Sequence, residues 1–272
     1  MNIFTCEARD LPDLWFQLLA GITEHGRPRI VDKGSYEGEK RLEFDYVLAK
    51  ITHPNTEPLL PDIPPAIGIP NPVEHGYIYG SDDYERSYIS YLMSGEKQQN
   101  ESYTYGERLA KVPIENLLDT DFGTTDVSEI LNPIDKVQPG AKYYKEDGVL
   151  YMNQIELLID TYKRFGYNNN QMTLQVAQPS DMLLVDPPCL RQIDTRIQDN
   201  GNGPELSFHI YFRSWELWNG LPANLAGIVN VARYIADALD IPNDNIRNFT
   251  VSSKGLHLYG YAEEMARLRC MK

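Results

Sequence analysis

Residues 190–213 read LRQIDTRIQDNGNGPELSFHIYFR. Two runs of mainly β-branched, apolar and aromatic residues, 190–197 and 206–213, flank Asp199-Asn200-Gly201-Asn202-Gly203. Asn and Gly accept positive φ, so this spacing predicts a β-hairpin. Beyond it, LAGIVNVARYIADAL at 225–239 leaves little room for charge on one side and predicts a long buried helix. A strand over 246–252 and a short helix over 262–269 follow. Upstream, 172–177 predicts a strand with apolar residues on both alternations, which calls for cover on both faces.

QIELLIDTYKRF at 154–165 predicts a helix closed by Gly166, and 82–93 predicts another. Between 114 and 150 turn formers abound and no period emerges, so no element is assigned there. Seven prolines between Pro54 and Pro72 exclude a helix or a central strand. That stretch reads as an ordered surface loop anchored by Leu59, Leu60, Ile63, Ile67 and Ile69. Residues 42–51 predict one strand, and 12–25 an amphipathic helix through Leu14, Leu18, Leu19 and Ile22, stopped by Gly26 and Pro28. Short strands grouped with a buried helix, rather than regular βαβ alternation, predict an α+β fold. The expected organisation is a single domain over 1–272.

The 272 residues carry 25 basic and 39 acidic side chains, a net charge of −14. A polymer-coating nucleic-acid surface needs clustered cations to displace counterions, so that class is disfavoured. The longest apolar stretch, 221–241, is interrupted by Asn224, Asn230, Arg233 and Asp237, and no transmembrane span is expected. Glu7, Arg9 and Asp10 spoil a secretory signal, which points to a cytoplasmic protein. Cys6, Cys189 and Cys270 neither pair off nor show metal-ligand spacing, so no disulfide scaffold and no metal are expected. No GxGxxG follows a strand and no GxxxxGK[ST] occurs, which leaves dinucleotide and P-loop functions without an anchor.

Three clusters carry possible chemistry. Cys189 follows Asp186-Pro187-Pro188 at a predicted strand start, either a rigidly presented nucleophile or an inert core thiol. Arg213 and Ser214 end the paired strand, suited to a phosphate. Asn224 lies near the start of the long helix, either presenting its amide to a pyrimidine edge or simply capping the helix. His257 and Tyr259, two apart, share one face if extended, and both can reach one ligand hydroxyl.

In this order, DPPC, FRSWELWNGLPAN and GLHLY resemble the thymidylate synthase and pyrimidine hydroxymethylase family, most closely its short archaeal-type members. Asp32-Lys33-Gly34-Ser35 and Tyr103-Thr104-Tyr105-Gly106-Glu107-Arg108-Leu109 fall in the family's order as well. The resemblance implies a large mixed β-sheet with helices on one face, its other face buried in a homodimer. It implies attack of Cys189 on C6 of a pyrimidine nucleoside monophosphate and one-carbon transfer to C5 from 5,10-methylenetetrahydrofolate or a related reduced pterin. Arg213, Ser214 and Lys33 then match phosphate-binding positions, Asn224 the base reader, and His257 with Tyr259 the pair near the sugar hydroxyl. Tyr105 matches the tyrosine near the nucleophile, and Glu216 with Gly220 the pterin side. Glu85 is the candidate general acid or base, one turn before the place where the family's glutamate is expected.

Four departures accompany the match. Asn168-Asn169-Asn170-Gln171 stands where the family has two arginines that reach the partner subunit's phosphate. Phe212 replaces a Gln and Leu190 a His. Glu216 replaces an Asp. The expected helix glutamate falls near Ser87 or Tyr88. The chain's end at Lys272, soon after Tyr259, keeps hydroxymethylation as an alternative to dUMP methylation. A catalytically silent nucleotide binder, or a protein that keeps only the fold, are the further alternatives.

Overall fold

The computed structural model describes residues 2–63, 88–97, 99, 101–114, 130, 133–135 and 140–271. Its first strands are β1 (Ile3–Ala8), β2 (Arg27–Ile30), β3 (Lys40–Glu43), β4 (Tyr46–Ile51), β5 (Val112–Pro113), β6 (Tyr143–Glu146) and β7 (Val149–Met152). Then come β8 (Thr173–Gln175), β9 (Leu190–Asp199), β10 (Pro204–Phe212), β11 (Trp215–Glu216), β12 (Phe249–Ser253) and β13 (Leu256–Tyr259). The α-helices are α1 (Leu11–His25), α2 (Tyr88–Ser94), α3 (Tyr105–Ala110), α4 (Gln154–Phe165), α5 (Gly220–Ala238) and α6 (Gly260–Arg269).

The expected hairpin forms the centre. β9 and β10 pair antiparallel, and Gly201 and Gly203 take φ of 94° and 90° in the connecting turn. A six-stranded mixed sheet, in the order β1-β4-β12-β10-β9-β8, grows around this pair. Along β10, Leu206, Phe208, Ile210 and Phe212 are buried, whereas His209 lies on the other alternation and is exposed. That alternation gives the sheet one apolar face, on which α1 and α5 pack. Trp15 of α1 donates its indole N–H to Leu217 O at 3.1 Å and sits 5.5 Å from the Trp218 ring. The first helix thereby clamps the turn that leads into α5. Losing either buried indole costs about 3–5 kcal/mol.

Two smaller sheets complete the β-structure. One, β11-β13-β3-β2, underlies the cavity described below, and the other is β5-β7-β6. Residues 42–51, expected as one strand, divide instead: β3 joins the four-stranded sheet and β4 the six-stranded one, with Phe44 and Asp45 at the corner. Residues 114–150 contain most of a hairpin that was not assigned, turning at Asp147 (φ 50°) and Gly148 (φ 83°). β8 is an edge strand whose Leu174 is buried while Gln175 is exposed, so within the chain only one of its faces is covered. The loop reading for 54–72 and the helix over 82–93 lie partly outside the described residues. Among the described residues no helix is long and apolar enough to cross a membrane.

Candidate active site

β11 runs parallel to β13, β13 antiparallel to β3, and β3 antiparallel to β2. The register aligns Glu216, His257, Glu43 and Arg27 in one row and Tyr259, Arg41 and Arg29 in the next. Directly paired residues share a face, and this face floors a cavity of about 940 Å3. The end of the β9–β10 hairpin supplies its wall. Arg213 N–H donates to Cys189 O at 2.8 Å, which holds the two residues side by side although 24 positions separate them. A register shift between Tyr211 and Phe212 leaves Arg191 unopposed, and a bulge of this kind re-aims neighbouring side chains. Arg191 and Arg108 both reach the buried Asp181 at 2.9 Å, bracing the segment that leads to Cys189.

Cys189, Lys33, Arg213, Ser214, Asn224, Glu216, Gly220, His257 and Tyr259 all line this cavity. Burial pushes the Cys189 thiol above its ordinary range, Asp186 adds to the rise, and Arg213, Arg191 and Arg41 pull it back down. Arg213 spends part of its fork on the nucleophile's loop: Nη2 is 2.5 Å from Pro187 O and Nε 3.2 Å from Pro188 O. Five donors in the guanidinium leave others for a ligand.

Ser214 Oγ is held loosely, 3.4 Å from His257 Nδ1 and 3.5 Å from Gly255 O. His257, 4% exposed, has Nδ1 2.9 Å from Gly255 O, so Nδ1 carries the proton and Nε2 is the acceptor. Burial lowers its pKa to about 4, with a secondary contribution from Arg41 and Arg213. The ring is therefore neutral at physiological pH.

Asn224 does not cap the helix; it lies inside α5, and its Oδ1 accepts from Trp215 Nε1 at 3.1 Å. Glu216 caps α5 instead. Its carboxylate accepts from the N–H groups of Trp218, Asn219 and Gly220 at 2.7, 2.8 and 2.8 Å. Burial raises the Glu216 pKa while these three bonds oppose the rise. Much of this carboxylate's capacity thus serves the helix N-terminus.

One expected residue lies behind the cavity rather than in it. Tyr105 does not line the cavity: its hydroxyl accepts from Leu190 N–H at 3.2 Å, behind the nucleophile. Tyr103 takes the cavity-facing place, its pKa pushed up to about 12 by burial first and the Cys189 charge second. Glu85 lies outside the described residues. Arg41, Arg29, Tyr36 and Asn219 also line the cavity, and of these only Asn219 falls within one of the three motifs. The segment bearing Lys33 is held by Ser35, whose N–H and hydroxyl both donate to Asp186 Oδ2, one residue before Pro187.

No protein-family model matches the chain. Among curated proteins it is 22% identical to one from Methanosarcina mazei over 258 residues, 95% of this chain and 90% of that protein. A protein of Methanosarcina barkeri gives the same identity and coverage, and one from Methanococcoides burtonii is 22% identical over 255 residues, 94% and 89% of the two chains. All three bear the name "Putative thymidylate synthase". The likeness to these proteins runs over nearly the whole length of the chain, in keeping with the three motifs.

Proposed function

We propose that this protein transfers a one-carbon unit to C5 of a pyrimidine nucleoside monophosphate, with dUMP methylated to dTMP as the reaction. The observation that carries the reading is convergence. Cys189, Arg213, Ser214, Asn224, His257 and Tyr259 come from a loop, a strand end, a helix and a second strand, yet line one cavity. A core thiol or a plain helix cap would need none of the others.

C5 of uracil is a poor nucleophile until a group adds at C6. The Cys189 thiolate forms the Sγ–C6 bond, the electrons move to the enolate at O4, and C5 becomes the nucleophile. Arg213, Ser214 and Lys33 hold the 5′-phosphate, and neutral His257 and the Tyr259 hydroxyl hold the sugar hydroxyl. Asn224, whose amide can both donate and accept, reads the uracil edge. When bound, methylenetetrahydrofolate or a related reduced pterin would supply the methylene carbon and the hydride. Loss of the C5 proton and departure of Cys189 restore the pyrimidine. Glu216 and Gly220 border the pterin, Glu216 chiefly by fixing the start of α5. Glu85 is the candidate general acid or base, and Tyr105 acts by positioning the nucleophile's backbone.

We further propose that residues 1–272 fold as one domain in the cytoplasm and pair as a homodimer through the open face of the six-stranded sheet. Exposed Ile3 and Leu48, at 57% and 42%, support that face as a contact surface. Sedimentation at micromolar concentration is expected to give twice the chain mass, and a monomer contradicts the pairing.

The reaction is tested by incubating dUMP with methylenetetrahydrofolate and determining the product's mass. A methylated nucleotide is expected. A hydroxymethylated one moves the protein to the hydroxymethylases, and unchanged dUMP that still binds makes it a silent binder.

A further inference from the structure

We infer that Arg41 is a second guanidinium on the substrate's phosphate, placed beside Arg213 by the same chain. This assignment deepens the nucleotide reading above and rests on it.

Sheet register puts Arg41 there. It is directly opposite Tyr259 on β3 and two residues from Glu43, which is opposite His257. All four side chains line the cavity, so Arg41 stands next to the pair assigned to the sugar. Its side chain is 20% exposed, and Nη2 lies 2.5 Å from Glu43 Oε2. Nε is buried with no hydrogen-bond partner among the described residues, and Glu43 Oε2 likewise makes an ion pair but no hydrogen bond. A buried charged donor left unmade is costly, and the exposed fifth of the side chain is what a ligand in the cavity meets.

Charge leads to the same place. Arg41, Glu43, Arg213 and Ser214 form a wall shared by the main cavity and a neighbouring one of about 530 Å3. Arg213 has only carbonyl oxygens on its Nε and Nη2, and among the described residues no carboxylate lies within ion-pair distance of it. Two guanidiniums therefore share one carboxylate. Both act on Cys189 and on His257, lowering the pKa of each, so their fields overlap over the reacting thiol. A dianion at this wall balances the excess charge, and the five N–H donors of the Arg41 guanidinium exceed what Glu43 and Tyr259 use. The neighbouring Ser214, His257 and Tyr259 identify the dianion as a sugar phosphate rather than the carboxylate of a folate tail.

Calorimetry of dUMP and of deoxyuridine, without folate, reads the phosphate's share as the ratio of the two affinities. Arg41→Ala is expected to lower that ratio about 10- to 100-fold and Arg41→Lys about 3- to 10-fold, since lysine keeps charge but not the fork. Glu43→Gln releases Arg41 and is expected to raise the ratio about 2- to 5-fold. Deoxyuridine affinity and the melting temperature of Arg41→Lys are expected to stay close to wild type. A ratio untouched by all three variants, while Arg213→Ala lowers it, overturns the role of Arg41 and leaves the nucleotide reading intact. A wild-type protein that does not distinguish dUMP from deoxyuridine overturns both.

Discussion

The two sides of the cavity are built by different forces. On the side of Cys189 and Arg213, backbone hydrogen bonds set the positions: a hairpin rung joins the two residues, and Glu216 binds three N–H groups at the start of α5. On the facing side, residues 32–36 are largely exposed and reach the nucleophile's loop through the surface contact between Ser35 and Asp186. Buried polar groups fixed by short bonds are expensive to disturb, whereas exposed contacts contribute little to stability. Changes on the first side should therefore damage chemistry or folding, and changes on the second should alter binding.

The largest effect is expected from Cys189→Ser. Turnover falls at least about 1,000-fold because a hydroxyl is far less ionised than a thiol, while dUMP binding persists. Steady-state assays and calorimetry check both halves. Glu216→Ala leaves three N–H groups at the head of α5 without their acceptor, and denaturant unfolding should show a loss of about 3 kcal/mol.

A smaller effect concerns pH. His257 has a folded pKa near 4 against an ordinary 6.5, so between these values the unfolded chain binds the extra proton. Stability is complete above about 6.5 and falls as pH drops toward 4, by about 3 kcal/mol in total from this group. In His257→Gln the slope of stability against pH over that window is expected to flatten by one proton. Asp186→Asn should have the mildest effect, raising the KM for nucleotide about 2- to 10-fold with under about 1 kcal/mol of stability lost. If Asp186→Asn instead unfolds the protein, the contrast between the two sides breaks.

What the sequence disclosed follows the same division. The hairpin at 190–213 and the helix at 154–165 were legible because turn chemistry and apolar period agree over long stretches. The cavity residues within the three motifs were legible for the same reason, as each motif is contiguous. The four-stranded sheet was not. Its strands have two to four residues each, come from distant segments, and turn at Phe44 and Asp45 without a glycine or proline to mark the corner. Arg41 was not legible because only register and burial bring it to the cavity, and Tyr103 stood in a motif without a role. Asp147-Gly148 did carry a hairpin signal that was overlooked, and Glu216, four residues before Gly220, is at the spacing of a side chain that reaches forward to cap a helix.

Release of tritium from C5-labelled dUMP in the presence of methylenetetrahydrofolate tests the central claim most directly, because it reports the covalent activation of C5 whatever the later fate of the carbon. Release that disappears in Cys189→Ser is the predicted result. No release from labelled dUMP, dCMP, UMP or CMP with that cofactor would contradict it.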